Sequence, residues 1–138
     1  MSNIDSTEIK RQFITDIEDG NLTNVIDVLH EGLNPNFIIE SKMIKEYYIS
    51  PIGIAINCEN IAMIKLLLLA GANINNNETV SSVNNAVDST DMNVLKLVLE
   101  AKGDPNLLHE GLSPLEFVEN DNMIAKKLLL AHGAKKIK

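Results

Sequence analysis

Apolar and polar positions alternate along the chain in blocks of six to twelve residues, and within most blocks the apolar positions recur at three- and four-residue spacing. That period belongs to helices with one buried stripe. Reading the blocks in order predicts eight helices at about 6–18, 22–30, 51–57, 61–69, 81–88, 92–101, 114–119 and 123–131. Short polar turns divide them into pairs: "EDGN" at 18–21, "NCEN" at 57–60, "DSTD" at 88–91 and "ENDN" at 119–122.

Cap signals fix where the helices begin. Ser50-Pro51 and Ser113-Pro114 set a hydroxyl at the N-cap and a proline at the first helical position, where its missing N–H is no loss. Glu116, three residues after Ser113, completes a capping box, and Ser81-Ser82 stands in for the Ser-Pro pair in the third block. Asn21, Asn60 and Asp91 are placed to cap the second helix of a pair.

The second helices repeat. "VIDVLHEGLNPN" ends at Asn36, "MIKLLLLAGANIN" at Asn75, "VLKLVLEAKGDPN" at Asn106 and "AKKLLLAHGAKK" at Lys136. Gly32 and Gly71 lie 39 residues apart, and Gly71 and Gly133 lie 62 apart, twice 31. Periods of this size mark stacked units, none of which buries its own apolar face alone. The run Leu66–Leu69 is then expected to be buried from more than one side, and Leu67, Leu68, Val98, Leu99, Leu129 and Leu130 to form the core between units. Two irregularities stand out. Lys102 takes the glycine position of the third unit with Gly103 next, which predicts a helix ending one residue later. The first connection is longer, with its surplus in "FIIESKMIKEYY" at 37–48, read as a hairpin finger or a mobile loop.

Composition limits the chemistry. A chain of 138 residues makes one ordinary domain, and 45% hydrophobic residues without tryptophan give an aliphatic core. A net charge of −7 argues against nucleic acid as partner. Residues 1–121 carry a net −12, whereas 122–138 hold five lysines and no acid. Lys126 and Lys127 are read as solvating the outer face of a terminal unit, and Lys135, Lys136 and Lys138 as complementing a helix C-terminus. A single cysteine forms no internal disulfide, and no His/Cys cluster has metal-ligand spacing, so neither metal nor cofactor is expected. No apolar run approaches the roughly 20 residues of a membrane helix, which predicts a cytoplasmic chain without membrane contact, or one exported by a route that leaves no such signal; a monomer is expected. His30 and His132, just before helix-ending glycines, are read as capping carbonyls, and Cys58 has no adjacent base. No phosphate loop, carboxylate pair or nucleophile elbow appears, so no catalytic residue and no enzyme activity are expected.

With "SPIGIA" at 50–55, "SPLEFV" at 113–118, the degenerate "SSVNNA" at 81–86, and "KLLLLAGANIN" at 65–75 and "DVLHEGLNPN" at 27–36, the chain resembles the ankyrin repeat family over nearly all of residues 6–134. The family's histidine after the leucine position is not matched; Gly53, Asn84 and Glu116 stand around it. The resemblance implies an all-α, ankyrin-type solenoid of four stacked helix-turn-helix repeats with β-hairpin or loop connections, the repeats at about 6–36, 45–75, 77–106 and 109–135. It also implies a binding module that recognises a protein partner through hairpin tips and first-helix ends lining a concave groove. By position, the helix-end residues are Glu18, Asp19, Asn57, Cys58, Asp88, Ser89, Asn120 and Asp121. The tip residues are Glu46, Tyr47 and Ile49; Glu78 and Val80, beside Asn77; and His109, Glu110 and Leu112. Their acidity favours a basic partner, with Tyr47 and Ile49 as apolar anchors. The alternative is a small acidic inhibitor or immunity-type protein that blocks a basic enzyme such as a nuclease.

Overall fold

Serine opens every first helix and an asparagine or aspartate every second one. In the computed structural model, which describes residues 4–41, 43–75, 81–108, 111–118 and 121–135, this alternation sets eight helices among the described residues. Ser6, Ser50, Ser81 and Ser113 are the N-caps of α1 (Thr7–Glu18), α3 (Pro51–Asn57), α5 (Ser82–Val87) and α7 (Pro114–Phe117). Asn21, Asn60, Asp91 and Asn122 cap α2 (Leu22–His30), α4 (Ile61–Leu69), α6 (Met92–Glu100) and α8 (Met123–Ala131). Each of these four side chains accepts a first-turn N–H at 2.9–3.1 Å, satisfying a donor that the helix leaves open. The Glu116 carboxylate accepts the Ser113 N–H at 2.8 Å, the reach expected of the capping box.

The chain forms two compact units, Met1–Asn73 and Ile74–Lys138. In the first, α1 packs on α2, α3 on α4, and α1 on α3. In the second, α5 packs on α6 and α7 on α8, first helix lies against first helix (α5 on α7) and second against second (α6 on α8). One buried stripe recurs in the second helices: Met63, Ile64 and Leu67 in α4, Val94, Leu95 and Val98 in α6, and Ala125 and Leu129 in α8, all fully buried.

This spacing corrects part of the expected core. Leu69 lies two residues, about 200° of helix, beyond Leu67 and is 88% exposed, and Leu66 and Leu68 are only partly buried. The four-leucine run is thus not enclosed on all sides. Leu130, expected in the core, is exposed. It holds the position in α8 that the buried Leu99 holds in α6, but α8 ends its unit, packed on α6 and α7. Lys126, at the α8 position of Ile64 and Leu95, likewise replaces an apolar residue by one that reaches solvent.

The third unit also differs from expectation after α6. The helix does not run one residue further; it spans nine residues like α4, and Lys102 itself takes the left-handed conformation, φ +74°, that Gly32, Gly71 and Gly133 take in the other copies. Gly103 is a glycine for another reason. A Cβ there would meet Val98 Cγ1 and the Val98 carbonyl at 2.8 Å and Val83 Cγ2 at 2.9 Å.

Four residues beyond each of the first three left-handed positions stands an asparagine that ties two loops together. Asn36 donates to the Gly71 carbonyl at 2.9 Å and accepts the Asn73 N–H at 2.7 Å. Within the second unit, Asn75 does the same to Lys102 (2.8 Å) and Asp104 (2.7 Å), and Asn106 to Gly133 (3.0 Å) and Lys135 (2.9 Å). Each side chain satisfies a carbonyl of the loop just past a helix C-terminus together with a loop N–H.

The surplus of the first connection is a hairpin. β1 (Ile39–Glu40) pairs antiparallel with β2 (Tyr48–Ile49), Ile39 opposite Ile49 and Glu40 opposite Tyr48. Phe37, at its base, meets the Phe13 ring edge-on at 5.9 Å and carries the Lys10 ammonium 5.5 Å from its centroid, which anchors the hairpin to α1.

Candidate protein-recognition surface

The hairpin tip is apolar, exposed and held in shape by its own polar groups. Met43 is 91% exposed, Ile44 58%, Tyr48 46% and Tyr47 36%. The Ser41 hydroxyl accepts the N–H groups of Met43 (3.1 Å) and Ile44 (3.4 Å), and the Glu40 carboxylate accepts that of Glu46 at 2.8 Å, where the chain turns through φ +64°. The Ser41 N–H donates to the Tyr47 carbonyl at 2.7 Å. These bonds determine the loop's form, so ordering it on contact costs little. Four exposed apolar or aromatic side chains within six residues, interrupted by the exposed Lys45 and Glu46, make this hairpin a candidate interaction site.

Between the hairpin and α1 lies a cleft of about 240 Å³. Ile14, Ile39 and Ile49 line its apolar side; Arg11, Thr15 and Glu18, spaced four and three residues apart on one face of α1, line the other. Met43 and Ser41 complete the lining. The Arg11 guanidinium donates to the Glu40 carbonyl at 3.4 Å, bridging helix and hairpin.

Of the residues singled out from sequence, Glu18 and Ile49 line this cleft. Glu18 ends α1, Asp19 is its C-cap, Asn57 ends α3 and Cys58 is its C-cap, all four exposed. The ends of the two helices are close: partial burial, and after it the Glu18 carboxylate, push the Cys58 thiol above its ordinary pKa. Glu46 and Tyr47 sit on the hairpin as exposed residues. Ile49 is not a free tip anchor; it is half-buried in β2 and forms part of the cleft wall, because strand alternation turns it inward opposite Ile39. Met43, Ile44 and Tyr48 were missed, although the low polarity of "MIKEYY" inside a polar connection was the available signal.

In the second unit, Asp88 is the exposed C-cap of α5, Ser89 is half-buried beside it, and Leu112 and Asp121 are exposed. Glu78, Val80, His109, Glu110 and Asn120 lie outside the described residues. His132 Nδ1 lies 3.0 Å from the Leu128 carbonyl, the capping role expected of it. Among the described residues no group of three His, Cys, Asp or Glu side chains could hold a metal ion, and no helix is long and apolar enough to cross a membrane. No protein-family model and no curated protein sequence matches the chain.

Proposed function

We propose that the protein is an ankyrin-type stack of helix pairs that binds a protein partner and carries out no chemistry of its own. The observation that carries the binding reading is the preorganised apolar tip, Met43 with Ile44, Tyr47 and Tyr48, standing beside the cleft against α1. The ankyrin-type architecture is supported by the Ser and Asn/Asp caps that recur in all four helix pairs, and by three asparagine bridges made at the same offset to the same main-chain groups. The partner is a protein rather than nucleic acid, because a chain of net charge −7 repels phosphate, and a partner with basic character suits the acidic helix ends.

The test is site-specific photo-crosslinking in the native cell. A photoreactive phenylalanine analogue is placed at Tyr48, and at Leu69 as a still more exposed control on a different kind of surface, a helix face. The reading predicts one discrete crosslinked protein from position 48, lost when Met43 and Ile44 are both replaced by serine, and none from position 69. The same products from both positions would count against it.

A further inference from the structure

The cleft is asymmetric, and its asymmetry specifies what enters it. At one end the Arg11 guanidinium is already engaged with the Glu40 carbonyl. At the other, the exposed Glu18 carboxylate makes no hydrogen bond or ion pair with a side chain of any described residue, and Asp19 follows it. Two helix C-termini, those of α1 and α3, come together there, and neither has a basic residue in its last turn. Their last-turn carbonyls are largely taken by following N–H groups, those of Asp19, Gly20 and Asn21 after α1 and of Cys58, Glu59 and Asn60 after α3, so the negative charge at this end is that of the Glu18 and Asp19 carboxylates. The Cys58 thiol, raised first by partial burial and then by the Glu18 carboxylate, places that carboxylate near the end of α3. Between these ends the wall is aliphatic, Ile14, Ile39 and Ile49, and the lining also holds Met43, an unbranched side chain able to repack over an occupant.

We propose that this cleft takes a leucine-like aliphatic side chain of the partner, with a lysine or arginine next to it in sequence lying against Glu18. The proposal rests on the reading of this face as protein-binding and names the partner's local chemistry. The aliphatic group fills the space between α1 and the hairpin. The cation pairs with the Glu18 carboxylate at the end of the cleft.

The test uses the full chain with ¹³C-labelled isoleucine and methionine methyls, titrated with three capped tetrapeptides of central sequence Leu-Lys, Leu-Glu and Ser-Lys. The Leu-Lys peptide is expected to shift the methyl signals of Ile14, Ile39, Ile49 and Met43. Binding of the other two is expected to be weaker, by about two- to fivefold for the charge change at this exposed site. Glu18→Lys, a surface substitution that leaves the fold intact, is expected to invert the preference between Leu-Lys and Leu-Glu. If the methyls respond equally to Leu-Lys and Leu-Glu in both proteins, the cation contact is refuted while the surface still binds. If the Leu-Lys peptide leaves the cleft methyls unmoved, the proposal is overturned; the crosslinking at Tyr48 then decides separately whether the face binds protein at all.

Discussion

Lys102 and Gly103 exchange the roles that their identities suggest. A lysine occupies the left-handed position, and a glycine stands next to it where no Cβ fits. Left-handed backbone costs a side-chain-bearing residue about 1–2 kcal/mol, so Lys102→Gly is expected to stabilise the fold by about 1 kcal/mol. Gly103→Ala drives a methyl into the Val98 carbonyl, which cannot move aside, and is expected to destabilise by about 1–3 kcal/mol. Urea denaturation of the two variants reads opposite signs if this assignment is right. A second test at this scale concerns Cys58. Its thiol is held protonated by partial burial and by Glu18. Only the thiolate reacts, so alkylation by iodoacetamide should show a midpoint above the ordinary thiol range. Glu18→Gln should bring that midpoint down and speed the reaction at pH 8, whereas an unchanged profile would mean that the two helix ends are not close in solution.

At the level of elements, helix starts were legible because caps are local chemistry. Ser50-Pro51 and Asn60 gave α3 and α4 to the residue, since hydroxyl, amide and proline act within one turn. The facing of side chains was less legible. In Leu66–Leu69 every position is apolar, so no polar residue marks the outer side, and the sequence reading buried Leu69 along with Leu67. Leu130 was misjudged because its exposure depends on what packs beyond α8, which no local pattern encodes. The hairpin was one of two alternatives because "FIIESKMIKEYY" alternates too weakly to choose between strand and loop, while the contacts that fix it, Phe37 on Phe13 and Arg11 on Glu40, come from 24 and 29 residues away. The asparagines at 36, 75 and 106 were visible as repeat endings, but their partners lie 27–37 residues onward. Each makes two hydrogen bonds worth about 0.5–1.5 kcal/mol apiece, so Asn75→Ala and Asn106→Ala should each cost about 1–3 kcal/mol. Leu67→Ala, at a fully buried site, should cost about 2–5 kcal/mol, and Leu69→Ala under about 0.5 kcal/mol. Equal effects at 67 and 69 would mean that the buried stripe of α4 has been misassigned.

For the whole molecule, the proposed function divides recognition between charge and shape. The acidic balance of residues 1–121 acts at long range, raising the rate of encounter with a basic partner, and is screened by salt over about 8–10 Å. Reversing Asp88 and Asp121, both exposed, to lysine should therefore slow association and flatten its salt dependence without changing dissociation. On the proposed reading, the apolar hairpin acts only on contact and sets how long a complex lasts. The dissociation rate of the crosslinked partner, measured by surface plasmon resonance for the native chain and for the combined Met43→Ser, Ile44→Ser and Tyr48→Ser variant, separates this account from its rivals. If the tip is the energetic centre, the variant loses about 2 kcal/mol or more and dissociates about 30-fold faster with its helical circular dichroism unchanged. Equal dissociation rates for two equally folded proteins would contradict the assignment of the hairpin as the recognition surface.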